Sequence, residues 1–124
     1  MNAIDEQILE SFRQEGFQNL TKIQKISYPV ISRKQNCLLV APTGSGKTEA
    51  SLIPIFSLLD SERARKIEFV QDNAIFVLYI TPLRALNNDV HRRIIDYAKR
   101  RNLDAQIRHG DTSRIAKQKM VKKP

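Results

Sequence analysis

Ile4, Ile8 and Phe12 recur every fourth residue with polar residues between them. That spacing predicts an amphipathic helix, with Gly16 as its stop. In the stretch "GFQNLTKIQKISYPVISRKQ", Thr21 is placed to cap a second short helix carrying Ile23, Ile26, Val30 and Ile31. Pro29 obscures its extent. The run "CLLVA" is continuous and apolar and enters a glycine-rich turn, which predicts a buried strand. "KTEASLIPIFSLLDSERARK" follows as a helix with Leu52, Ile53, Phe56 and Leu59 on one side, and Pro54 is expected to kink its second turn. "AIFVLYITP" is β-branched and aromatic and ends at Pro82, the pattern of a buried strand. Leu83, Leu86, Val90, Ile94 and Tyr97 stand at helical spacing, "LDAQIRHG" predicts a shorter third strand, and "DTSRIAKQKM" a helix capped by Asp111 or Thr112.

The predicted order is helix, helix, then strand–helix–strand–helix–strand–helix. Such alternation predicts an α/β fold: a parallel sheet of about three strands, flanked by helices through right-handed crossovers. No internal repeat occurs, and no Gly- or Pro-rich linker divides the chain. Residues 1–35 read as a helical region and 36–124 as an α/β core.

The turn between the first strand and the third helix carries the chemistry. "APTGSGKT" places two glycines, a lysine and two threonines where an apolar run meets a helix start. Such a turn aims backbone N–H groups inward, and the helix N-terminus adds partial positive charge. The stretch Thr43, Gly44, Ser45, Gly46, Lys47, Thr48 is therefore expected to wrap a triphosphate tail. Gly44 and Gly46 let phosphate oxygens approach the backbone. Lys47 reaches the β- and γ-phosphates as a point charge, and the Thr48 hydroxyl is placed to ligate Mg²⁺. The match to G-x-x-x-x-G-K-[ST] departs at one position, where Ala41 replaces the first glycine, farther from the phosphates than Gly46.

Composition narrows the partners. The 124 residues carry a formal net charge of +8, which favours an anionic partner such as nucleic acid, nucleotide or an acidic membrane surface. No apolar run approaches membrane-spanning length. The single cysteine, Cys37, excludes an internal disulfide and, inside "NCLLVA", is expected to be a buried reduced thiol. "MNAIDEQILE" has early acids and no apolar signal region, so the expected compartment is cytoplasmic.

"APTGSGKT", with alanine first, resembles motif I of superfamily-2 helicases. "GFQNLTKIQ" resembles their Q motif, "YITPLRALNND" their motif Ia, and with "RHGDTS" the set resembles the large helicase-related (Lhr-type) branch of ATP-dependent DNA helicases. The similarity covers nearly the whole chain. It implies the first part of a RecA-like P-loop domain, with ATP and Mg²⁺ as cofactors. It also implies that Gln24 hydrogen-bonds the adenine edge, with Thr21 close by and Phe17 packing on the base. Lys22 stands where many relatives have proline. Pro82, Arg84 and Asn87 of motif Ia would contact the nucleic-acid backbone, joined by His109, Gly110, Asp111 and Thr112. On residue type alone, Arg84 and Arg108 read as solvated surface and Asp111 as a helix cap. The basic run "HRRIIDYAKRRN" reads as a solvated outer face.

Hydrolysis needs an acidic motif to hold Mg²⁺ and orient water. No D-E-x-H or D-E-x-D pattern occurs in the 124 residues. The resemblance further implies a second RecA-like domain beyond this chain. The expectation is thus a fragment of a DNA helicase (RNA is the other candidate substrate) that binds ATP weakly without turning it over. The alternative is a non-catalytic P-loop module for nucleotide or nucleic acid. A P-loop kinase fits less well, because the Q-motif resemblance has no place in it.

Overall fold

The computed structural model describes residues 3–64, 75–81, 84–106, 108, 118 and 121, with the backbone alone at Ile4 and residues 84–88. Four helices follow one another: α1 (Ala3–Gln14), α2 (Lys22–Ser32), α3 (Lys47–Ala64) and α4 (Arg84–Lys99). The chain divides into two compact units, Met1–Ala64 with α1, α2 and α3, and Arg65–Pro124 with α4.

The parallel sheet is a correction. Among the described residues there is no strand, so the expected α/β layer of about three strands is not formed. Residues 35–42 and 75–81 form neither helix nor strand. Their apolar side chains face outward: Leu38, Val40, Leu78 and Ile80 are 86%, 78%, 73% and 82% exposed. A β-branched, apolar run favours an extended backbone, but a strand exists only where a neighbour completes the hydrogen-bond ladder and covers the faces. The same exposure corrects the expected burial of Cys37, which lies on the surface. The described part of the third predicted strand, 103–106 and 108, likewise forms no strand, and the helix predicted from Asp111 falls almost wholly outside the described residues.

Local signals set the helix ends. At the close of α1, Gly16 adopts φ +92°, while Phe17 N–H reaches Phe12 O (3.0 Å) and Gly16 N–H reaches Arg13 O (2.9 Å). This pair of bonds around a left-handed residue satisfies carbonyls that the helix leaves open. The accompanying apolar contact is the edge-to-face packing of Phe17 on Phe12, with ring centroids 6.2 Å apart. Lys34 at φ 59° closes α2 in the same way, through Gln35 N–H to Val30 O. Asn102 at φ 54° closes α4, through Leu103 N–H to Ala98 O.

In the first unit α3 lies against both other helices. Glu49, Ala50, Leu52, Ile53, Pro54, Phe56 and Leu59 are buried, more of its circumference than the single apolar side the sequence predicts. A helix covered on several sides is a central element. Ile8 and Phe12 of α1 complete the core, and truncating a ring as buried as Phe12 costs roughly 3–5 kcal/mol.

Against α3, α2 turns a face that its apolar residues do not announce. Gln24, Ser27 and Tyr28 are buried, whereas Ile26 is 56% exposed. The polar groups on this face are paired. Gln24 Nε2 donates to Gly46 O (3.3 Å), Ser27 Oγ donates to Ala50 O (3.0 Å), and Tyr28 OH meets Ser57 Oγ at 2.8 Å. Ser11 of α1 joins the last pair, 2.7 Å from the Tyr28 hydroxyl. An ion pair between Lys34 and Glu62 ties the end of α2 to the far end of α3.

In the second unit, Tyr97 and Ala98 are buried apolar residues among those of α4 whose side chains are described. Arg100 lies over the Tyr97 ring, 6.0 Å from its centroid, and Arg101 donates to Tyr97 O at 3.0 Å. No described helix is long and apolar enough to cross a membrane.

Candidate functional site

The turn 42–46 feeds directly into α3, and its backbone is built on glycine. Gly44 and Gly46 sit at φ +75° and +80°, a region that residues with a Cβ enter only with strain. Ser45 N–H donates to Pro42 O at 3.3 Å, closing the turn. The first helical bond of α3 runs from Ala50 N–H to Gly46 O at 2.9 Å. The amides just before Ala50 therefore fall in the turn that a helix leaves without internal acceptors. Such amides, with the helix dipole behind them, favour an anion.

Lys47 points back into this turn. Its ammonium donates to Ala41 O (2.5 Å) and Pro42 O (2.8 Å), two carbonyls of the approaching chain. An ammonium has three protons, so one remains beyond these bonds. Ala41, which replaces the first glycine of the motif, thus contributes its carbonyl, and a carbonyl is independent of side-chain identity. Thr48 is half-buried in the first turn of α3, and its carbonyl accepts Ser51 Oγ at 2.8 Å. Thr43 is exposed. Ser45 Oγ is buried with no hydrogen-bond partner among the described residues. A buried hydroxyl without a partner is uncommon and marks a place where a polar ligand would be accommodated.

Gln24 joins the turn to α2. Its Oε1 accepts Thr21 N–H at 3.0 Å, the backward half of a capping box, while its Nε2 reaches Gly46 O. The side chain is only 3% exposed. A Cβ at position 46 would collide with the Gln24 amide and come within 3.3 Å of its Cδ, so a side chain there would displace the buried end of Gln24. Thr21 lies beside them, its Cγ2 3.6 Å from the same point. Phe17 is half-buried on Phe12. The structure thus brings Thr21, Gln24, Gly46, Lys47 and Thr48 together.

It does not test the second set. Arg84 and Asn87 lie in the first turn of α4, described by backbone alone. Pro82, His109, Gly110, Asp111 and Thr112 lie outside the described residues. Among the described residues no three His, Cys, Asp or Glu side chains cluster to hold a metal. Sequence reasoning missed Ser27 and Tyr28. The signal that would have found Ser27 is Pro54, which withholds an N–H from Ala50 O and so calls for an outside donor.

A family model described as DEAD/DEAH box helicase matches residues 21–124. The ATP-dependent helicase Lhr-Core of Sulfolobus acidocaldarius is 35% identical across 100% of this chain, which spans 16% of that protein. The Lhr helicase/uracil glycosylase of Escherichia coli is 33% identical over 88% of the chain, which spans 8% of it. The human ATP-dependent RNA helicase DDX18 is 36% identical over 68% of the chain, which spans 12% of it. No solved structure matches. With the phosphate-loop motif, the glutamine behind it and a family match over most of its length, the chain belongs to the DEAD/DEAH box family of ATP-dependent helicases, on its Lhr-type branch.

Proposed function

We propose that the turn from Thr43 to Thr48 holds the triphosphate of Mg·ATP, and that the chain is the nucleotide-binding part of a motor acting on DNA. The observation that carries this reading is the junction of turn and helix. Two glycines at positive φ open the backbone, and the Lys47 ammonium stands inside the turn with one proton left for a phosphate oxygen. Ser45 Oγ, without a described partner, adds a donor at the same place. Thr48 would supply the side-chain oxygen for Mg²⁺, which keeps most of its waters. When bound, the ion neutralises charge on the phosphates.

Gln24 and Thr21 are proposed to read the adenine edge. After its bonds to Thr21 and Gly46, the Gln24 amide still has one N–H and one lone pair, the donor–acceptor set that adenine complements. Phe17 lies in the same motif as a packing surface for the base. Pro82, Arg84, Asn87, His109, Gly110, Asp111 and Thr112 are proposed to grip the nucleic-acid backbone. The +8 charge supports an anionic polymer. DNA is proposed over RNA on the Lhr-type similarity.

For this chain by itself we infer binding without turnover, because its sequence has no D-E-x-H or D-E-x-D element to orient water. The other motor parts would come from the remaining length of a protein like its relatives. Calorimetric titration with Mg·ATP is expected to give weak binding, and Lys47→Ala is expected to weaken it by about tenfold or more, the scale of one charge-assisted contact. No heat with wild type, or an unchanged Kd in Lys47→Ala, would remove the reading. Equal affinity for GTP would remove only the role given to Gln24.

A further inference from the structure

Pro54 sits inside α3 and is fully buried. Proline has no N–H, so the usual helical bond from position 54 to the carbonyl of position 50 is not made. Ala50 is 0% exposed, so water does not reach its carbonyl either. The donor comes from another helix: Ser27 Oγ donates to Ala50 O at 3.0 Å, and Ser27 is itself buried. Ala50 belongs to the first turn of α3, whose amide bonds back to Gly46 at the end of the phosphate turn. One helical turn before Ser27, Gln24 reaches the same Gly46 carbonyl.

We propose that Ser27 is a positioning residue for the phosphate turn: its hydroxyl supplies the bond that Pro54 withholds from Ala50, and so holds the first turn of α3, with Lys47 and Thr48, in register against α2. The nucleotide consequence rests on the reading of the turn given above, whereas the Ser27–Pro54 coupling does not. Ser27 touches no ligand. It acts through Ala50 and Gly46.

The test is a double-mutant cycle on the full chain with Ser27→Ala, Pro54→Ala and both together, with Ser27→Thr as the conservative variant. Pro54→Ala returns an N–H to position 54, so Ala50 O regains a partner within its own helix. Hydrogen exchange at the amides of residues 50–53, without nucleotide, reads the geometry directly. Ser27→Ala is expected to speed their exchange by about fivefold, the scale of one hydrogen bond. Ser27→Thr is expected to stay near wild type. In the Pro54→Ala background the Ser27→Ala change should be less than about twofold, because its coupled partner is gone. Mg·ATP affinity should follow the same cycle.

Exchange unaffected by Ser27→Ala, or equally affected in both backgrounds, overturns the proposal. If exchange follows the cycle while wild type gives no heat with Mg·ATP, the coupling stands and the nucleotide reading fails. If wild type binds and the affinity ignores the cycle, the positioning role fails and the nucleotide reading stands. A global loss of folding in Ser27→Ala that Pro54→Ala does not repair also overturns the proposal.

Discussion

Gly44 and Gly46 share a turn and nearly the same backbone angle, yet they are not equivalent. A Cβ at Gly44 meets nothing within 4 Å, whereas one at Gly46 runs into the Gln24 amide. Gly44→Ala should therefore show only the strain of positive φ, about 1 kcal/mol. Gly46→Ala adds a steric conflict with a buried side chain that already makes two hydrogen bonds, and should lose roughly 2–4 kcal/mol. Urea unfolding of the two variants checks this order, and equal midpoints would contradict the packing of Gln24 on Gly46. Glycine, lysine and threonine were legible as a tight turn leading into a helix start because their spacing specifies local conformation. The second function of Gly46, making room for Gln24, lies 22 residues away in sequence and no spacing rule reveals it.

Among elements, helices were the readable kind. The stop of α1 at Gly16 and the start of α2 at Thr21 were read from local signals, whereas the left-handed closures at Lys34 and Asn102 are seen only in the structure. Pro54 neither ends nor shortens α3, since Ser27 offsets the bond it removes. The buried face of α2 was not legible from its isoleucines. Hydrogen bonds to α3 make Gln24, Ser27 and Tyr28 the inward residues, a choice set by the neighbour. Tyr28 brings the three helices of the first unit together through Ser11 and Ser57. Tyr28→Phe keeps the ring and removes both contacts. Each lost bond costs about 1 kcal/mol, so the variant should lose roughly 1–2 kcal/mol with an unchanged denaturant slope. A change below a few tenths of a kcal/mol would show that Tyr28 is held by its ring alone.

For the whole molecule, the exposed runs decide solution behaviour. Leu38, Val40, Ile75, Leu78 and Ile80 are each more than 60% exposed. Covering one such side chain is worth up to roughly 1.5–3 kcal/mol. The +8 net charge opposes association, but at physiological salt it is screened beyond about 8 Å. Apolar burial should win under those conditions, giving concentration-dependent self-association that weakens at low salt. Leu78→Lys with Ile80→Lys should reduce it, because lysine on an open extended segment blocks edge pairing. Sedimentation velocity at two ionic strengths checks this, and a monomer at every concentration in physiological salt would contradict it.

By itself the sequence determined what short-range physics can specify: the four described helices, the glycine stop of α1, the threonine start of α2, and a glycine-opened turn in front of a lysine and a helix N-terminus. Each depends on residues within a few positions of one another. Only the tertiary structure decided whether the apolar runs at 35–42 and 75–81 were strands, which side of α2 faced α3, and what satisfied the carbonyl below Pro54. A strand needs a neighbour for its backbone, a buried hydroxyl needs an acceptor, and a helix interrupted by proline needs a donor. In each case the partner lies far along the chain, where local pattern carries no information about it.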